Sequence, residues 1–351
     1  VFESFGGRST GGNPAAILTD LCVHGLEAPL WWTVLDGTMS APPGATPVIR
    51  GSRAWFRTLR TARIIVTDDR LPDWFYKRPG QRIIQTWHGT PIRKLLLDAP
   101  VGTVLLSYRR LMARQAPQWD LLLARSDAAA HDLCAATGYT GQVLVGEQPR
   151  NIGLLIGDED RRRVRADLGI EPGSRVVLYA PAPREEVHDA GAAVQRAGLL
   201  DPAALAARTE TTVLVRALGH DGEGGPLARG AAVIDAGDYP NVESLMAVSD
   251  VLVSDYSSIA VDYALTGRPA ILYVPDLARQ RDIGRGLYRD WPESSGLPVT
   301  FTQADLIERV REALRSAPGG DSEGRLIDPG PIRRTLERVR AWILVALSEE
   351  G

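Results

Sequence analysis

The chain has 351 residues, 44% hydrophobic and 24% charged, a globular composition about two domains long that excludes a disordered tail, a collagen-like fibre and a coiled coil. Forty basic residues against 43 acidic ones leave a net charge of -3, which argues against nucleic acid as the main partner, since that footprint is strongly basic. No apolar run approaches the roughly 18 residues of a membrane span. Cys22 and Cys134 are too few for a disulfide framework or a zinc site, so a reducing compartment, the cytoplasm, is expected. Only Lys77 and Lys94 among the basic residues are lysines, a bias that reads as GC-rich coding and not as a phosphate-binding surface. Val1 opens a strand with no methionine before it, so the chain reads as cut from something longer, with any upstream anchoring segment out of view.

Short β-branched runs alternate with helical patterns, the signature of βα units and parallel sheets. In the first half the expected strands are Val1–Phe5, Trp32–Leu35, Arg63–Thr67, Arg82–Thr86, Leu121–Ala124 and Gln142–Val145, with loops at 6–14 and 41–47. Pro149-Arg150-Asn151 leads into a helix headed by Asp158-Glu159-Asp160, and the boundary is expected there. This gives a first domain over 1–150, a second over 151–330, and a last helix over 331–351 packing back on them. In the second half Ser174–Tyr179, Thr212–Val215, 231–235, Val251–Ser254 and Ala270–Val274 read as strands, with helices at about 241–248 and 257–265. That rhythm is a doubly wound α/β unit. Leu306, Ile307, Val310 and Leu314 make one helical stripe, and Ile332, Leu336, Val339, Ile343 and Leu347 another.

Chemistry is expected where the strands of both domains present their carboxyl ends, in a cleft between them. The first candidate is Gln85-Thr86-Trp87-His88-Gly89-Thr90-Pro91. It follows an apolar strand, and Pro91 is suited to open a helix as its first residue. His88 then sits on a strand-to-helix turn, where an imidazole can take a proton from an attacking hydroxyl. A histidine hydrogen-bonded inside a turn accounts for the same residue, and position leaves both readings open. The second candidate is Ser254-Asp255-Tyr256-Ser257-Ser258. Two hydroxyls and backbone N–H groups at a helix start make an anion site, although Asp255 or Ser257 acting as a simple cap fits equally. Asp262, one turn after Ser258, could accept from sugar hydroxyls. Arg216 at the end of one strand, His220 shortly after it, and Arg184 after another could grip phosphate oxygens. With so many arginines each is weak alone, and Arg285, between two glycines, is weaker still.

There is no Walker A loop, no G-x-G-x-x-G opening a helix, no G-x-S-x-G elbow and no H-E-x-x-H. Asp68-Asp69 and the 158–160 run are the acidic clusters with a metal-binding look, and neither is read as a metal site. No cofactor is expected beyond the substrate itself.

Taken in order, these clusters resemble the CDP-glycerol glycerophosphotransferase family of teichoic acid and capsule polymerases and primases. The matching strings are Phe2-Glu3-Ser4-Phe5-Gly6, Gln85 to Pro91, Pro149-Arg150-Asn151, Leu178-Tyr179-Ala180-Pro181 and Ser254 to Ser258, with looser ones at Arg268-Pro269 and Arg285-Gly286-Leu287-Tyr288. The resemblance implies two facing Rossmann-like domains, the GT-B architecture. It also implies transfer of an alditol phosphate, glycerol phosphate first, from a CDP-alditol to an acceptor hydroxyl, with release of CMP. On that basis His88 is the base, and Arg216, Ser257, Ser258 and His220 hold the donor phosphates. Gly89, Thr90, Arg150, Pro181, Arg184, Asp255, Asp262 and Arg285 line the nucleotide and substrate. The implied partners are a CDP-alditol and a polymer or lipid-linked acceptor, met by peripheral contact at the inner face of the membrane.

Two positions depart from the family pattern. Leu218 stands where relatives carry a second histidine, with His220 two residues on, and Glu147-Gln148 precedes Pro149 in place of small or aromatic residues. A GT-B glycosyltransferase using a nucleotide sugar is the alternative enzyme reading. A non-catalytic binder of nucleotide or polymer is the reading from another class.

Overall fold

The computed structural model describes residues 1–184, 199–216, 232–316 and 327–348. They form two compact units. One holds Val1–Pro91, Leu95–Gly153 and the last helix; the other holds Ile92–Lys94 and the described residues from Leu154 to Ile327.

The first unit is built on seven parallel strands: β1 (Phe2–Glu3), β2 (Trp31–Val34), β3 (Thr46–Ile49), β4 (Ile64–Thr67), β5 (Arg82–Gln85), β6 (Leu121–Ala124) and β7 (Gln142–Val145), in the order β3-β2-β1-β4-β5-β6-β7. Both faces are covered, so the strands are apolar on both sides. Ile65, Ile83 and Leu122 point to the face of α2 (Arg53–Thr61), α3 (Leu106–Gln115) and α4 (Asp127–Thr137). Val66, Ile84, Leu121 and Leu123 point to the face of α1 (Gly12–Val23) and of the last helix, Gly330–Ser348, which buries Ile332, Leu336, Val339 and Ile343 there. Each such side chain contributes about 1.5–3 kcal/mol on burial.

The second unit has six parallel strands: β8 (Val176–Tyr179), β9 (Thr212–Val215), β10 (Val233–Asp235), β11 (Val251–Ser254), β12 (Ala270–Tyr273) and β13 (Val299–Thr300), in the order β10-β9-β8-β11-β12-β13. Leu178, Leu214, Leu252 and Leu272 pack with α5 (Asp158–Asp167), α7 (Val242–Val248) and α8 (Ile259–Tyr263). Val177, Val213, Val253 and Ile271 pack with α6 (Pro202–Thr209) and α10 (Gln303–Ser316). The expected α/β class with doubly wound parallel sheets is the one adopted. In each sheet the strand order reverses direction once, between β1 and β4 and between β8 and β11. These are the switch points where open α/β sheets bind ligands.

Four local expectations are corrected. Residues 46–49, placed partly in a loop, form strand β3. Pro47 weakens the strand signal there, and an edge position tolerates it. The first strand ends at Glu3, because Phe5 takes a left-handed backbone (φ 45°). No helix starts at Pro91; the next one begins at Leu106. Ile92–Lys94 are instead held extended: the Lys94 N–H donates to the Gly286 carbonyl at 2.9 Å, and the Tyr288 N–H to the Ile92 carbonyl at 2.8 Å. The helix expected over 257–265 is only five residues long, Ile259–Tyr263, and continues as a 3-10 turn over Ala264–Thr266.

Candidate functional site

In the first unit, the site gathers at the carboxyl ends of β1, β4 and β5, across the switch point. Ser4, just past β1, donates its hydroxyl to Asp68 Oδ2 at 2.6 Å, and the Phe5 N–H donates to Asp68 Oδ1 at 2.8 Å. Asp68 lies just past β4, so this pair ties the two central strands together. Gly12 makes room for it. A Cβ there would come within 3.0 Å of Asp68 Oδ2 and 3.2 Å of Ser4 Oγ, at a φ of +78° that favours glycine anyway. Burial pushes the Asp68 carboxyl up to about 6, against the pull of the Ser4 hydroxyl, the Phe5 N–H and His88.

His88 follows β5 and is half-buried. Its Nδ1 lies 3.1 Å from the backbone carbonyl of Asp68. A carbonyl can only accept, so Nδ1 carries the hydrogen and Nε2 keeps its lone pair. The ring stacks on Trp87 (5.1 Å, 15°) and is flanked by Phe5 at 5.5 Å. Trp87 takes a left-handed backbone (φ 50°), held by its N–H donating to Gln85 Oε1 at 2.9 Å. Gly89 follows at φ 141°, a conformation side chains resist. Two residues past His88, Thr90 Oγ1 is shielded from water with no hydrogen-bond partner among the described residues, a hydroxyl available to a ligand.

Asn13, in the first turn of α1, organises this turn. Its Nδ2 donates to the carbonyls of Thr86 (3.3 Å) and Trp87 (3.2 Å) and to Gln148 Oε1 (2.6 Å), while its Oδ1 accepts from the Arg150 N–H at 3.1 Å. Arg150 Nη1 donates in turn to the His88 carbonyl at 2.8 Å. Of the residues expected here, His88, Gly89, Thr90 and Arg150 are thus brought together. Asn13, Ser4 and Gln85 were missed as functional positions, and Asp68 was weighed only as a metal ligand. Ser4 lies inside the Phe2-to-Gly6 string and Gln85 heads the His88 string, but the hub role of Asn13 has no local signal beyond the Gly-Asn-Pro sequence.

In the second unit, Asp255 is the counterpart of Asp68. It follows β11 directly, and its Oδ1 accepts from the Ala182 N–H past β8 at 2.7 Å and from the Tyr256 N–H at 2.5 Å. Arg184 pairs with Asp255 Oδ2 at 2.7 Å and with Asp276 at 3.0 Å, and lies over the Tyr256 ring at 5.2 Å. The indole N–H of Trp291 donates to the Asp255 carbonyl at 3.0 Å. Burial raises the Asp255 carboxyl against the opposing pull of Arg184. The side chains of Arg184 and Asp255, both read as substrate contacts, are therefore engaged in a buried brace.

Ser257 and Ser258 are half-buried at the start of α8. Ser257 Oγ accepts weakly from the Ile259 N–H at 3.4 Å, and Ser258 makes no capping bond. A five-residue helix supplies a smaller dipole than the expected one. Asp262, on α8, is 1% exposed. Arg216, past β9, donates from Nη1 to the carbonyls of Ala236 (3.1 Å) and Tyr239 (2.5 Å). Pro181 and Arg285 are half-buried in the segments after β8 and after α9 (Leu277–Asp282). His220, like Leu218, lies outside the described residues. Among the described residues no three His, Cys, Asp or Glu side chains gather as a metal site.

Comparison with known proteins adds to this geometry. The profile of the CDP-Glycerol:Poly(glycerophosphate) glycerophosphotransferase family matches residues 1–324. A teichoic acid glycerol-phosphate transferase of Staphylococcus aureus (strain NCTC 8325 / PS 47) is 28% identical over 90% of this chain and 84% of its own length. A teichoic acid poly(glycerol phosphate) polymerase of Bacillus subtilis (strain 168) is 29% identical over 89% of this chain, which spans only 43% of that protein. In fold, the chain is similar to a solved wall teichoic acid polymerase, TagF, with a TM-score of 0.82 at 23% identity over 99% of this chain and 89% of that one. It is more distantly similar to a UDP-GlcNAc 2-epimerase from Neisseria meningitidis, with a TM-score of 0.58 at 14% identity over 98% of this chain and 99% of that one. The chain belongs to the CDP-glycerol:poly(glycerophosphate) glycerophosphotransferase family.

Proposed function

We propose that the chain transfers glycerol phosphate from CDP-glycerol to a hydroxyl of a poly(glycerol phosphate) acceptor and releases CMP. Family membership across residues 1–324 gives the reaction class, and the carrying observation is the fixed tautomer of His88. Nε2 takes the proton of the acceptor hydroxyl as its oxygen attacks the phosphorus bearing glycerol. The bond from that phosphorus to the bridging oxygen breaks, and CMP leaves with the oxygen. Phosphoryl transfer of this kind depends on positioning and on neutralising charge. Ser257, Ser258 and Arg216 are assigned to the donor phosphates, and Thr90 and Arg150 to the acceptor side. The reading uses no metal or cofactor, so activity is expected to persist in EDTA.

A lipid-linked acceptor calls for contact with a membrane surface. Supporting such contact, the exposed rings of Phe56 and Trp74 pack together at 4.8 Å, and Phe56 shares α2 with the exposed Arg53, Arg57 and Arg60, the mixture that seats a protein on an anionic interface. Among the described residues no helix is long and apolar enough to cross a membrane.

Incubation of the protein with CDP-glycerol and a short glycerol phosphate oligomer tests the reaction. CMP release that depends on the acceptor is expected; stabilisation by nucleotide sugars with no CMP release would favour the glycosyltransferase alternative.

A further inference from the structure

We propose that Asp68 is the positioning residue of the base: its backbone carbonyl fixes the tautomer of His88, and its carboxylate supplies the counter-charge for the imidazolium. The inference rests on the proton-abstracting role proposed for His88 and names what makes that role possible.

The geometry gives Asp68 two separate holds on the ring. The carbonyl accepts from Nδ1 at 3.1 Å. The carboxylate is locked by the Ser4 hydroxyl at 2.6 Å and the Phe5 N–H at 2.8 Å, and the Phe5 ring packs on the imidazole. His88 pulls the Asp68 carboxyl toward its charged form, against the effect of burial. At 1% exposure, Asp68 acts through little intervening water, so its charge is felt strongly. The Ser4 hydroxyl and the Phe5 N–H donate to separate oxygens of the carboxylate.

The other charges around the ring are weaker candidates. Asp69 is turned toward Arg8, 4.0 Å away. Arg150 donates to the His88 carbonyl, and as a cation it cannot serve as the counter-charge. The Glu3 carboxyl is fully buried and pushed up to about 7, so it is largely uncharged below neutral pH. When His88 takes the acceptor proton, Asp68 is the anion held next to the new cation.

The test is read without substrate, so it stays separate from the question of which reaction is catalysed. The His88 ring is titrated by heteronuclear NMR in the wild type and in Asp68→Asn, which keeps the shape and removes the charge. The expected result is a His88 pKa lowered by about one unit, a tenfold change in proton affinity. The acid limb of kcat/KM should move by the same amount, while Asp69→Asn moves both less. A folded Asp68→Asn protein with an unmoved His88 titration overturns the proposal. Should that variant not fold, the Asp68 side-chain carbon is followed in His88→Gln. Loss of the cationic partner should raise the Asp68 pKa, and an Asp68 titration indifferent to the ring overturns the proposal equally.

Discussion

His88 Nδ1 and the Asp68 carbonyl, 3.1 Å apart, join the ends of β5 and β4, while the Asp68 carboxylate joins β4 to β1 through Ser4 and Phe5. One residue therefore ties the His88 imidazole to both strands of the switch point. The second unit repeats the device, with Asp255 after β11 accepting from Ala182 after β8. In the first unit the tie carries a histidine, and in the second it carries an arginine.

The brace in the second unit predicts a stability effect. Arg184→Ala leaves Asp255, 2% exposed, without its cation. Loss of about 3–5 kcal/mol is expected, because an unpaired buried carboxylate is left behind. Chemical denaturation measures it. A variant of wild-type stability with only a raised KM would instead place Arg184 on the nucleotide.

Glu3 predicts a pH dependence. Its carboxyl is fully buried and faces the Thr33 hydroxyl and the Trp55 indole without a hydrogen bond of normal geometry to either. Burial pushes its pKa from 4.5 up to about 7. The folded state holds the proton more tightly than the unfolded one, so this contribution is intact below pH 4.5 and declines as pH rises toward 7. The loss amounts to about 3 kcal/mol above that range. Glu3→Gln should therefore gain stability over the wild type at pH 8 and lose the advantage near pH 4. Melting curves at the two pH values decide it, and equal differences at both would contradict the burial argument.

Asn13 predicts a split between binding and turnover. It is 1% exposed and supports the 86–88 turn and the 148–150 segment from one side chain. Asn13→Ala is expected to cost about 1–3 kcal/mol through unsatisfied carbonyls. It should also lower kcat more than it raises KM for donor, because the loosened turn carries His88. Unchanged kcat in a destabilised protein would make Asn13 structural only.

Much of this was legible in residues. The apolar runs at 121–124, 212–215 and 251–254 could only be buried parallel strands, and the strings around His88 and Ser254–Ser258 fell at strand ends. What was hidden depended on tertiary partners. Pro91 suits a helix start, but Lys94 and Ile92 pair with Gly286 and Tyr288, which no local pattern announces. Asp255 reads as a cap or a ligand until Arg184, 71 positions earlier in the chain, is seen to claim it. The acidic pair at 68–69 resembles a metal cluster in sequence, whereas Asp68 is occupied by Ser4 and Phe5 from the start of the chain.

Whether the Nε2 lone pair of His88 activates the acceptor is decided by CMP release from CDP-glycerol by His88→Ala. With folding checked by the melting curve, a loss of at least about 10²-fold in kcat is expected, with donor affinity retained. A folded His88→Ala protein that releases CMP at the wild-type rate would contradict it.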